Sequence, residues 1–133
     1  MLSIRYGLYK PQKPITRYLV FINGRTEFIE KYSYLPEDLN IGESTGFLTW
    51  DHRGQGASGG ARAYVETYDD YVFDAQQVIA HCTGGKPCDI LSHSMGGLIG
   101  LHGINLEIFK PERLIMLSPL LGLDNHLIPQ NLA

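Results

Sequence analysis

The segment Cys88-Asp89-Ile90-Leu91-Ser92-His93-Ser94-Met95-Gly96-Gly97 leaves a chain few ways to fold. An apolar run ends at a serine set among small residues, and a glycine-rich apolar stretch follows at once. This is the pattern of a strand, a sharp turn and a helix with a serine pushed out at the apex. In such an elbow (G-x-S-x-G) the serine has strained backbone, and small residues two positions before and after it let strand and helix approach closely. Ser94 satisfies that rule, with Ser92 before it and Gly96 after, serine replacing the usual first glycine. Ser92 does not, because Ile90 would crowd the turn. Taken alone, the motif reads more readily as an ordinary turn with a helix cap than as a nucleophile elbow.

The surrounding chain supplies the context. Ile4 to Tyr9 alternates polar and apolar residues and stops at Pro11, as an edge strand does. Arg17 to Ile22 (RYLVFI) is a β-branched and aromatic run suited to burial on both faces. Phe28, Ile29, Tyr32 and Leu35 recur at helical spacing, with Thr26 as N-cap, Glu27 and Glu30 in the first turn and Pro36 ending or bending the helix. A loop over 42–46 precedes a strand at Phe47 to Trp50. Thr67 and Asp70 then make a capping-box-like start to a long helix, whose apolar face runs from Tyr68 through Val78 to Cys82. Gly84-Gly85-Lys86-Pro87 stops it. Beyond the elbow, Gly96, Gly100 and Gly103 fall on one helical stripe, so this helix can lie close to a sheet. Arg113 to Leu117 reads as the last strand. Strands alternating with helices imply a mainly parallel α/β sheet.

Composition narrows the class. With 133 residues the chain has the length of a single domain, and 44% hydrophobic against 19% charged residues suits a soluble globular protein. The net charge of -3 gives no reason to expect nucleic acid as a partner. No apolar run approaches a membrane span, the first residues lack a signal-peptide pattern, and a cytoplasmic location is expected. Cys82 and Cys88 are expected to be free thiols, and neither a cofactor nor a metal is expected.

Gly54-Gln55-Gly56-Ala57-Ser58-Gly59 spells the dinucleotide-binding fingerprint, with Asp74 among the acidic residues downstream. That motif works when its glycines open a helix directly onto the pyrophosphate. Here His52 and Arg53 stand between strand and glycines, and the best helix start is Thr67. A glycine-rich loop on the rim of a site is the better reading.

Four ordered segments together resemble the α/β-hydrolase fold. They are Asn23-Gly24-Arg25-Thr26-Glu27-Phe28 after a strand, the Asp51-x-Arg53-Gly54-x-Gly56-x-Ser58 loop, the Tyr68-Asp69-Asp70-Tyr71-Val72-x-Asp74 helix start, and His93-Ser94-Met95-Gly96-Gly97. Within that fold they look like the lysophospholipase and monoacylglycerol-lipase group, which includes serine aminopeptidase-like hydrolases, and most of all like lysophospholipase L2. The resemblance runs from about Ile4 to Gly122. It implies that Ser94 is the nucleophile and that the backbone N–H groups of Met95 and Arg25 form the oxyanion hole. Asn23 replaces the family's usual histidine. The Arg25 guanidinium would face a substrate phosphate or solvent. Asp51 and Arg53 would stabilise loops, and His93 would be packed and hydrogen-bonded, pointing away from Ser94.

The resemblance also implies that the acid and the histidine of the triad lie on later strands. A serine nucleophile needs a histidine base and an orienting carboxylate, in this fold later in the chain. Only Asp124 and His126 follow Ser94 in that order with freedom of placement, and residues two apart are poorly placed to act in series. The expected architecture is thus one incomplete α/β-hydrolase domain over 1–133, lacking the first strand, the lid and the last strands, with about 118–133 opening the lid. The expected function is a serine hydrolase of the lysophospholipase or carboxylic-ester type, inactive alone. The alternatives are a non-catalytic α/β interaction domain, half of a split hydrolase, and a nucleotide-binding domain. Expected partners are a small acyl ester or lysophospholipid, a membrane surface touched peripherally, and a second copy of the chain through an exposed sheet edge.

Overall fold

The computed structural model describes residues 2–122. Five strands form one sheet: β1 (Tyr6–Tyr9), β2 (Arg17–Ile22), β3 (Thr45–Trp50), β4 (Cys88–His93) and β5 (Leu114–Leu117). Their spatial order is β1-β3-β2-β4-β5. β1 runs antiparallel to β3, and the other pairings are parallel. The expected mainly parallel sheet is present, with the alternating strand at one edge.

The pleat sorts side chains between two faces. Tyr18, Val20, Ile22, Leu48, Trp50 and Ile90 pack with Tyr71, Val72, Ala75 and Val78 of α2 (Tyr68–Thr83) and with Met95 and Ile99 of α3 (Met95–Asn105). The opposite face carries a smaller cluster of Phe21, Phe47 and Leu91 with Leu19, Tyr32, Leu35 and Ile41. Burial on both faces explains why β2 and β3 read as nearly unbroken apolar runs. Gly84 ends α2 in the left-handed conformation at φ 58°, as the glycine pair predicts.

Four local expectations change. The helix expected from Phe28 is a 3₁₀ turn (Ile29–Tyr32) followed by the one-turn α1 (Leu35–Asp38), with Pro36 in its first turn rather than at its end. Thr26 is not a cap: its φ is 63°, and its N–H is held by the side chain of Gln55. Thr67 does occupy the N-cap of α2, but its side chain makes no capping bond, and its carbonyl accepts the Asp70 N–H instead. Of the glycine stripe on α3, Gly96 and Gly100 face the sheet, whereas Gly103 receives the ring of Phe109.

Candidate functional site

Because β2, β3, β4 and β5 run in parallel register, their following loops leave the sheet at one end. In open α/β sheets that carboxyl end is where ligands are bound. The loops beginning at Asn23, Asp51, Ser94 and Ser118 therefore converge.

Ser94 sits between β4 and α3 with φ 52° and ψ -119°, a conformation rare for a residue with a side chain. Its neighbours hold it there. The Ser94 N–H donates to the Leu117 carbonyl at 3.1 Å, and the Ser94 carbonyl accepts from Leu120 and Gly97, each at 2.9 Å. A Cβ on Gly96 would come within 1.9 Å of the Ile22 carbonyl oxygen, so only glycine lets α3 start this close to β2. One on Gly97 would meet Pro119 at 2.7 Å. Ser94 itself is half-buried, and Met95 is buried. Ser92 is fully buried and bonds to the Ile115 carbonyl at 3.3 Å.

The loop after β2 lies directly against the serine. A Cβ on Gly24 would stand 3.2 Å from the Ser94 Cβ and 2.9 Å from Glu27 Oε2. Asn23 is buried; its Nδ2 donates to the Trp50 carbonyl at 2.8 Å, and its own carbonyl is 3.0 Å from His52 Nε2. Burial pushes the His52 imidazole below its ordinary range, which keeps it neutral between Trp50 and Tyr71. Arg25 is exposed.

Asp51 and Arg53 hold loops, as expected. The fully buried Asp51 accepts from Arg5 Nε at 2.7 Å, from the Ile29 N–H at 2.9 Å and from the Ala57 N–H at 2.8 Å. Arg53 forks onto Asp74 at 2.6 and 2.7 Å and reaches Asp70 at 3.2 Å. The glycines of the fingerprint thus serve the protein itself. A Cβ on Gly56 would strike the Asp51 carboxylate at 2.2 Å, and Gly54 and Gly59 are bonded to each other. The helix that follows starts only at Tyr68. Asp74, the residue placed to meet a ribose, is taken by Arg53.

Sequence reasoning missed Glu27, read as a first-turn acid of a helix that does not form. Its buried carboxylate receives the Gly24 N–H at 2.6 Å, Lys31 Nζ at 2.8 Å and the Tyr32 hydroxyl at 2.7 Å, and lies 3.3 Å from His93 Nδ1. Burial pushes this carboxyl up, but Lys31, Tyr32, Gly24 and His93 together outweigh it and hold it at about 2. Tyr32 is driven well above the ordinary phenol range by burial and by that carboxylate. Glu three residues after Gly24 and four before Lys31 was the available signal. His93 is hydrogen-bonded, as anticipated, but its side chain is about a third exposed rather than packed.

The other described histidines are engaged elsewhere: His52 with Asn23, His81 near Tyr6, and His102 with Asp69 at 2.6 Å. Asp124 and His126, with the rest of the expected lid opening over 123–133, lie outside the described residues. Among the described residues no three His, Cys, Asp or Glu side chains gather as a metal site, and no helix is long and apolar enough to cross a membrane.

Beside the site, on the less covered sheet face, an apolar cleft of about 550 Å³ is lined by Phe21, Tyr32, Leu91, Ile115 and Leu117, with His93 at its border.

The chain is similar to a monoglyceride lipase homolog of monkeypox virus, 34% identical over 129 residues, which cover 90% of this chain and 45% of that protein. It is 27% identical to a probable lysophospholipase L2 of Haemophilus influenzae, over 87% of this chain and 39% of that one. The fold matches that of Paleococcus ferrophilus monoacylglycerol lipase with a TM-score of 0.77 at 22% identity, covering 97% of this chain and 48% of that one. The chain thus spans less than half the length of these relatives. Residues 13–133 match the family model Hydrolase_4, described as serine aminopeptidase, S33. With the strained serine between strand and helix and the parallel sheet behind it, this match places the chain in the serine aminopeptidase, S33, family of α/β hydrolases.

Proposed function

We propose that this chain carries the nucleophile and oxyanion half of a serine hydrolase for acyl esters of the monoacylglycerol or lysophospholipid type. The observation that carries the reading is the backbone of Ser94, strained at the mouth of the sheet with Gly24 against its side chain. A strain of about 1–3 kcal/mol persists where the surroundings enforce it, and here they do so from both sides. Ser94 Oγ attacks the ester carbonyl carbon, and the N–H groups of Met95 and Arg25 receive the oxygen that becomes negative. The alcohol leaves with a proton, and water then releases the acid from the acyl-serine. The names of the relatives support a lipid ester as substrate.

The base and the acid of the reaction come from outside the described residues, since each described histidine has another partner. In this reading the 133-residue chain by itself is expected to turn esters over poorly. The second reading, an interaction domain, is favoured by one observation: Ile115 and Leu117 of the last strand are about half exposed, at 48% and 50%. Exposed apolar strand residues at a sheet edge favour association with another chain.

A fluorophosphonate probe separates the two. The hydrolase reading expects slow labelling of the 133-residue chain and none of Ser94→Ala, with p-nitrophenyl butyrate turnover by the chain no faster than by the variant. Adding a polypeptide that spans the rest of a family member should restore saturable turnover. An unlabelled Ser94 at long exposure, with no restored turnover, would leave the interaction domain as the answer.

A further inference from the structure

Glu27 joins the two loops that meet at Ser94. Its Oε2 accepts the Gly24 N–H at 2.6 Å from the loop after β2 and lies 3.3 Å from His93 Nδ1 at the end of β4. Gly24 immediately precedes Arg25, and His93 is two residues before Met95, so one carboxylate oxygen touches the approach to both amides of the oxyanion hole. We propose that Glu27 is a positioning residue, which fixes the Asn23–Gly24 peptide, next to the one that bears the Arg25 N–H, and the turn at Ser94 relative to each other so that the Arg25 and Met95 N–H groups point at one place. The inference rests on the hydrolase reading for its function but not for its geometry.

Three features support it. The reach of Glu27 back to an N–H three residues earlier is that of a capping box, here used on a turn that leads into a 3₁₀ turn rather than an α-helix. The turn is held from outside: Thr26 stands at φ 63°, and its N–H donates to the side chain of Gln55. The geometry also leaves no slack, because Gly24 is wedged between the Glu27 carboxylate and the Ser94 side chain. A bare carboxylate near a developing oxyanion would oppose it, and Lys31 and Tyr32 on the other oxygen answer that by offsetting the charge. His93 is the only other titratable group on Oε2 among the described residues.

Amide spectra of the full 133-residue chain test this without turnover. At neutral pH the Gly24 N–H should resonate far downfield, as a short bond to a charged oxygen requires. In Glu27→Gln that signal should move upfield, and the Arg25 and Met95 amides should shift with it, while Val72 and Ile99 in the core stay. Fluorophosphonate labelling of Ser94 should slow by up to about a hundredfold, the cost of removing one oxyanion donor. Tyr32→Phe, the milder change, should raise the pH at which the Gly24 signal titrates, and it decides the matter should Glu27→Gln unfold. The proposal is overturned if Arg25 and Met95 keep their positions in Glu27→Gln, or if the Gly24 titration is unmoved in Tyr32→Phe. Shifted amides in a chain whose Ser94 never labels would sink the hydrolase reading and leave the positioning intact. Normal labelling with unmoved amides would do the reverse.

Discussion

At the scale of single residues, Glu27 and His52 contribute to the response of this protein to acid, beside Asp89 and Glu30, whose carboxyls their arginine partners also hold low. Glu27 is ionised in the fold down to about 2, against an ordinary 4.5. A depressed carboxyl contributes stability that is present above its unfolded value and lost as pH falls through the folded one. The loss therefore runs from about pH 4.5 to about pH 2, and at ~1.4 kcal/mol per unit it amounts to about 3 kcal/mol. His52 acts earlier. Its burial lowers its affinity for a proton, so folding is disfavoured progressively as pH drops below the ordinary 6.5. Denaturant melts from pH 8 to pH 3 should show stability falling in two stages, and Glu27→Gln should flatten the lower one. A single stage unaffected by that variant would contradict the assignment. Gly96 supplies a second test. A methyl there meets a backbone oxygen at 1.9 Å, which cannot move without parting β2 from α3. Gly96→Ala should lower stability by about 3 kcal/mol, the upper range for overpacking, whereas Gly84→Ala, with open space around it, should cost only its left-handed strain. Equal melts for the two would show that the elbow is looser than described.

At the scale of elements, the five strands and the two long helices were legible, and the short turns between β2 and β3 were not. β2, β4, α2 and the elbow could be read because each rests on a period or a punctuation: the apolar runs, the stripe from Tyr71 to Val78, the glycines at 84 and 96. The segment after β2 misled because Phe28, Ile29, Tyr32 and Leu35 mimic a helical period, whereas only Tyr32 and Leu35 join the apolar cluster and Phe28 is exposed ahead of a 3₁₀ turn. Propensity there yields to tertiary bonds: Asp51 takes the Ile29 N–H and Glu27 takes the Gly24 N–H. The role of Glu27 was illegible for the same reason, since three of its partners are local but His93 arrives from β4. β5 bears an element-scale prediction. Ile115 and Leu117 line the apolar cleft and are half exposed. Sedimentation velocity of the 133-residue chain should show concentration-dependent association, and Ile115→Lys with Leu117→Lys should shift it to higher concentration. A monomer at all concentrations would argue that this face is covered within the chain.

At the scale of the whole molecule, the acid-base network divides the labour between the two ends of the sheet. At the carboxyl end the buried Asp51 and Glu27 fasten loops. At the other end Arg17 and Arg113 converge on Asp89 at 2.9 and 2.7 Å and tie β2 to β4 and to the start of β5. The outer ties are partly exposed and should weaken with salt, while those of Asp51 should not. Stability in 1 M salt should therefore fall little in the wild type and less in Arg113→Ala, which keeps only the Arg17 tie to Asp89. A large salt effect that persists in Arg113→Ala would point to other charges.

The bonds from Ser94 to Leu117 and Leu120 have a consequence for how such a chain tolerates change in length. The nucleophile does not depend on β4 and α3 alone, because its N–H and carbonyl both end on the stretch that leaves β5. Pro119 fills the space above Gly97 and makes that stretch a clip over the first turn of α3. A residue inserted between Leu117 and Leu120 would shift the clip out of register and be felt at once at the serine. The same insertion a few positions later would leave those bonds untouched. Length variation beyond β5 is therefore free to reshape whatever lies over the site only from Leu121 onward, and the four residues before it act as a fixed collar.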